Sequence, residues 1–254
     1  MKKVLFLCAS LLFLFSCTSS KKDLEAPVGI HFSHFWDSTS VSTADFNSLK
    51  FITENGEKLS IEGLRYLVSN VMLTDANNNT FELSKYQLIN LGENQIDIPA
   101  IEVPLGTYTL SFIFGFTDAQ NTDGSYPDLN SASFNVPTML GGGYHYMQFD
   151  GKYIGQNLAP APFNYHAIRA VNRENPNAIV FQDTSFKVEL GVLSVKNSKE
   201  IEVKMNIAEW FKNPNIWDLN QRNTVLMPNF EAQLLMSQNG KSVFSLGDPS
   251  QYIQ

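Results

Sequence analysis

The chain has 254 residues, a net charge of -7 with the histidines neutral, 43% hydrophobic residues and two cysteines, Cys8 and Cys17. With Lys2-Lys3 inside the leader, an acidic chain whose only other basic cluster is Lys21-Lys22 offers no face for nucleic acid. Cys8 falls inside a leader and Cys17 at its end, so no disulfide is available and core burial alone must hold the remaining fold.

Met1-Lys2-Lys3 opens the chain with positive charge, and Val4 to Phe15 is a nearly unbroken apolar run. A run of about a dozen residues is too short to span a bilayer, which takes roughly 20, but suits a secretory signal. Leu14-Phe15-Ser16-Cys17 resembles a bacterial lipobox, in which the cysteine thiol is acylated and becomes the new N-terminus. The expectation is a lipoprotein signal over residues 1–16, a lipidated tether over 17–27 with the lipid on Cys17, and one domain over 28–254. The protein would then sit in the cell envelope, anchored to a membrane through Cys17, with net charge near -9 once Lys2 and Lys3 are removed.

From Val28 onward the pattern is that of strands. Val28, Ile30 and Phe32 alternate with Gly29, His31 and Ser33, and His34 continues the Ile30 face. Further β-rich runs cover Leu64–Thr74, Phe81–Leu91, Gly106–Phe116, Tyr144–Phe149, Ser185–Leu193, Ile201–Ile207 and Phe230–Met236. Asn55-Gly56, Asp75 to Asn79, Pro104-Leu105-Gly106, Asn197-Ser198 and Asn239-Gly240 supply the turns between them. Short strands at this spacing predict an all-β fold, an antiparallel β-sandwich of the Ig-like or Greek-key type, with few short helical turns. The best helical turn is Ile207 to Lys212, closed by Asn213-Pro214.

The four histidines are His31, His34, His145 and His166. Neutral imidazole ligates copper and zinc, and a thioether favours Cu(I). His145 lies in Gly141-Gly-Gly-Tyr-His-Tyr-Met147; on a strand, His145 and Met147 would share a face. His166 follows a proline-punctuated loop. No His-x-x-x-His pair fixes a geometry, so each histidine taken alone reads first as an ordinary surface or hydrogen-bonded residue. Asp118 to Asp128 crowds oxygen side chains as a calcium loop would, but lacks the ligand order and terminal glutamate, and reads as self-satisfied Asx turns rather than a calcium site. Gly-x-Ser-x-Gly, His-Glu-x-x-His and phosphate-cradling glycine loops are absent, so the expectation is no enzyme. Trp36, Trp210 and Trp217 suit either the ends of a sandwich or a stacking surface.

Several segments together resemble the MbnP-like copper-binding proteins. Val28-Gly-Ile-His-Phe-Ser-His34 is similar to the opening strand, and Leu64-Arg-Tyr-Leu-Val-Ser-Asn-Val-Met-Leu73 to the arginine-tyrosine, serine-asparagine strand. Phe114-Gly-Phe-Thr-Asp118 with Asn121 resembles a family loop, and Gly142-Gly-Tyr-His-Tyr-Met-Gln-Phe-Asp-Gly151 the glycine-tyrosine strand. His166 takes a later histidine position, and the stretch to about residue 246 resembles the close of the domain. The resemblance implies secretion or surface anchoring, a β-sandwich, and copper held by His145 and His166, with His34 third and Met147 a further donor. Founding members place a kynurenine made from tryptophan beside the metal; Pro137-Thr-Met-Leu-Gly141 has no tryptophan, and Ala167 replaces a glycine. This form resembles a variant common in Bacteroidota lipoproteins. The rival reading is a surface module for a glycan or a protein partner, with structural histidines and exposed aromatics.

Overall fold

The computed structural model describes residues 24–175 and 178–248. The leader, Cys8, Cys17 and the tether up to residue 23 lie outside the described residues.

Two sheets face each other. The smaller centres on β1 (Glu25–Trp36). The larger centres on β2 (Gly63–Asp75), flanked by β3 (Thr80–Asn90). Then come β4 (Asp97–Pro104), β5 (Gly106–Phe114), β6 (Met147–Ile154), β7 (Pro160–Ala167), β8 (Phe186–Val195) and β9 (Lys199–Asn206). β1 pairs with β9 on one side and with β4 on the other, while the large sheet runs β8–β5–β2–β6 with β3 beside β2 and β7 beside β6. The alternation of β1 buries Val28, Ile30, Phe32, His34 and Trp36 against the larger sheet. Phe32 meets Tyr66 of β2 and Phe112 of β5 edge-on, with centroids 6.0 and 6.1 Å apart. Those contacts mark the core between the layers.

The all-β expectation holds, with three differences. β1 begins at Glu25, because Glu25, Ala26 and Pro27 already pair with Pro104, Val103 and Glu102 of β4. β1 and β9 run parallel, so the sandwich is not wholly antiparallel. Phe230–Gly240, whose start reads as a strand in the sequence, is a helix, α1. Asn229 caps it by accepting from the Ala232 amide, and Glu-Ala-Gln-Leu-Leu-Met behind the cap are strong helix formers. The local capping signal outweighs the apolar run.

In β2 the Ser69-Asn70 pair has a mechanical reason. Ser69 Oγ donates to the Gly115 carbonyl at 2.7 Å, and Asn70 takes a left-handed φ of 49° where the register with β5 shifts. Asn70 and Gln120 then exchange amide bonds of 3.2 and 2.8 Å, which ties the 117–128 loop to the sheet.

Candidate metal centre

The segment leading into β6 and the end of β7 bring His145 and His166 together on the outer face of the large sheet. His166 lies opposite Gln148 in the β6/β7 register, and Gln148 lies opposite Arg65 of β2. Gln148, Asp150, Asn164, His166 and Arg65 therefore share that face, while Phe149 and Tyr165 point inward to the core aromatics.

His145 precedes β6 in an irregular segment. Gly141, Gly142 and Gly143 have φ of 119°, 65° and 76°, a run of left-handed backbone that glycine alone takes at low cost. Asn121 Oδ1 accepts from the Tyr144 amide at 2.8 Å and lies 2.4 Å from where a Cβ on Gly143 would stand. Gly143→Ala is expected to cost about 2 kcal/mol or more and lower the melting temperature by about 4–8 °C. An unchanged thermal transition would show that this clamp holds nothing.

The clamp delivers His145 to Phe134. The His145 amide donates to the Phe134 carbonyl at 2.9 Å, and ring Nδ1 lies 3.0 Å from the same oxygen. A carbonyl cannot donate, so this shorter contact puts the proton on Nδ1 and leaves Nε2 its lone pair, while Gln148 Nε2, 3.2 Å from Nδ1, turns its hydrogens to the Ser133 carbonyl at 3.4 Å. That Nε2 is buried and has no hydrogen-bond partner, an uncompensated acceptor in the interior. Burial pushes the His145 pKa down to about 4; the Phe134 bond opposes the shift, and the nearby His166 and Arg65 reinforce it. The ring is neutral at physiological pH and ready to ligate.

His166 Nε2 lies 2.9 Å from Asp150 Oδ1, which also accepts from Asn164 Nδ2 at 2.6 Å. Burial raises the Asp150 pKa, but the bonds from His166 and Asn164, with Arg65 nearby, outweigh it and leave the carboxyl below its usual range. With Nε2–H given to Asp150, Nδ1 is the nitrogen His166 has left to offer an ion. Gln233 of α1 donates to the His166 carbonyl at 2.9 Å and accepts from the Ile168 amide at 2.8 Å, so the helix fixes the end of β7.

The two imidazoles stand with centroids 5.4 Å apart and planes at 86°. Two imidazoles at a tetrahedral angle on one first-row ion, with bonds of about 2.0–2.1 Å, put their centroids roughly 5 Å apart. The donor types and the spacing fit such an ion.

His34 and Met147 do not join this pair. His34 is 2% exposed in the core, with Nε2 3.2 Å from Tyr66 Oη. Burial, with a smaller push from His31, lowers its pKa to about 3. Tyr66 lies opposite Met147 in the β2/β6 register, and Met147 is fully buried in the core cluster. Met147 alternates with Gln148, and His145 Nδ1 lies 3.2 Å from Gln148 Nε2, on the outer side. The shared face expected for His145 and Met147 fails because the strand begins only at Met147. The sheet itself separates His34 and Met147 from His145 and His166.

The oxygen-rich 117–128 loop is spent on the fold. Asn121 serves Tyr144, Asp128 accepts from Tyr86 Oη at 2.8 Å, and Asp118 faces Arg169 at 3.6 Å. Trp36, Trp210 and Trp217 are buried among core aromatics such as Phe51, Phe114 and Tyr165, so they offer neither a stacking surface nor a neighbour to the histidine pair. Asp150, Gln148 and Arg65 escaped the sequence reading. Their trace is two polar alternations, Gln148-x-Asp150 and Asn164-x-His166, on strands with apolar inner faces.

A family model described as MbnP matches residues 25–228. The chain belongs to the MbnP family. The match begins at the first residue of β1 and takes in both histidines of the pair. Among solved structures, MbnP from Methylosinus trichosporium is similar in fold, with a TM-score of 0.57 at 14% identity over 88% of this chain and 99% of that one. Among curated proteins, none matches the chain. MbnP membership therefore rests on the sequence family, and the solved relative supports the architecture.

Proposed function

We propose that this MbnP-family protein is an exported, lipid-anchored copper-binding protein that holds the ion through His145 and His166 and takes part in copper storage or handling rather than catalysis. One observation carries the reading: a buried imidazole nitrogen, Nε2 of His145, has no partner within the protein and stands one ring away from a second imidazole. A bound ion would supply the missing partner, and both second nitrogens are already fixed, by Phe134 and by Asp150. Crystals of the copper-loaded full chain, measured at the copper edge, should show the anomalous peak between residues 145 and 166. A peak elsewhere ends this assignment.

Asp150 orients His166, so Asp150→Asn should weaken copper binding about 10-fold or more while the fold persists, as read by competition with a chelating dye. Equal affinity would show that the carboxylate is not part of the centre. The anchor has its own test. The full chain expressed in a bacterium should incorporate labelled palmitate, and Cys17→Ser should incorporate none. Label retained by the variant would move the lipid elsewhere.

A further inference from the structure

We propose a second metal site, for a divalent first-row cation, on the outer face of the small sheet at His31, Asp97 and Glu200. The three donors come from three adjacent strands, β1, β4 and β9. Their ligand atoms all lie within 4.8 Å of one another, the one group of three or more His, Cys, Asp or Glu donors so placed among the described residues. His31 and Asp97 are register partners across β1 and β4, with Nδ1 and Oδ1 2.7 Å apart.

The backbone explains the convergence. Glu200 lies opposite Gly29 in the parallel β1/β9 register, and Gly29 has no side chain to compete for the face it shares with His31. The β1/β4 register shifts between Val28 and Ile30, so the β4 backbone closes on Gly29: a Cβ there would stand 3.0 Å from the Ile98 carbonyl. Such a shift re-aims neighbouring side chains. Glu202, the register neighbour of His31, is engaged by Ser33 Oγ at 2.6 Å and lies 3.8 Å from Lys204 Nζ, so it stands apart from the group.

Donors around one ion at bonds of about 2.0–2.2 Å sit roughly 3–3.5 Å from each other, so the 2.7 Å His31–Asp97 pair opens slightly and Glu200 closes in, adjustments that exposed carboxylates reach by rotation. The ion takes the place of the proton between His31 and Asp97. One imidazole and two carboxylates suit zinc and its neighbours, leaving a position for water. The site staples the first strand of the domain to both of its neighbours. It stands independently of the histidine pair on the other sheet.

Zinc is the probe. In the full chain carrying His145→Ala and His166→Ala, one zinc per chain should bind and raise the melting temperature. Adding His31→Gln should weaken that binding at least tenfold and abolish the rise, and Glu200→Gln should do likewise. Undiminished zinc binding in the His31→Gln chain, or none in its parent, overturns the proposal. In the wild-type chain the ring resonances of His31 should shift on zinc addition; resonances that stay in place overturn it whatever the variants do.

Discussion

Replacing His145 and His166 together by alanine should abolish copper retention by the full chain, and either single change should weaken it by more than a hundredfold. Loss of a partner behind a ligand costs about 10–100-fold, so loss of the ligand itself costs more. Neither a third imidazole nor a thioether can substitute. Met147 and His34 lie across the sheet, and Gln148 is held by Arg65 Nε, which donates to Oε1 at 2.6 Å. Metal analysis after copper loading and dialysis reads the outcome, with far-ultraviolet circular dichroism as the control for folding. The control matters, because His145 fills buried volume and its removal costs about 1–3 kcal/mol in a packed interior. Copper content equal to wild type in the double variant would sink the assignment. His34→Leu should leave copper content unchanged, which separates the core histidine from the pair.

Acid should unfold this protein over a window set by its buried histidines. Folded-state pKa values of about 3 for His34 and about 4 for His145 lie below the ordinary value near 6.5. Between those limits the unfolded chain binds protons that the folded chain refuses, so stability rises with pH there and is lost as pH falls below about 6.5. For His34 alone the loss from pH 7 to pH 4 is about 3 kcal/mol. The same chain carrying His34→Leu, which removes the titrating ring, should show a visibly flatter dependence of urea midpoint on pH between 6.5 and 4. A midpoint that tracks wild type through that interval would place the acid sensitivity elsewhere. Copper, which competes with protons for the same lone pairs, should shift the window downward, because His145 at about 4 yields to protons late.

Much of the architecture is legible in the sequence because strand periodicity is a local property. Gly63–Asp75 and Thr80–Asn90 fall within a residue of the runs read from alternation, and Phe186–Val195 and Lys199–Asn206 within two. Pro160–Ala167 escapes because its two prolines read as loop, although it pairs along its length with β6. Prolines are tolerated there because β7 is an edge strand. Asp97–Pro104 escapes for a similar reason, with Pro99 and Pro104 interrupting its run and five of its eight residues exposed on an edge of the small sheet. The site divides along the same line. His145 and His166 can be named from motif positions, but which third residue approaches them depends on register between β2, β6 and β7. Register is a long-range quantity: His34, 111 residues before His145 in the numbering, ends on the far side of the sheet, and Asp150, five residues after it, ends beside the pair.

The place of β1 in its sheet has a mechanical consequence. The described chain reaches the domain at Glu25, and from there β1 is laddered to β4 over Glu25–His31 and to β9 over Val28–Phe35, so one flank or the other is paired along nearly all of it. Tension entering at that point is directed along the strand, so it loads the two ladders in shear, many bonds at once. Peeling, which breaks bonds singly, would require the strand to hang from an edge. A tether that tugs on this molecule, as the proposed lipid anchor does, therefore pulls against a strand held by two ladders rather than by one.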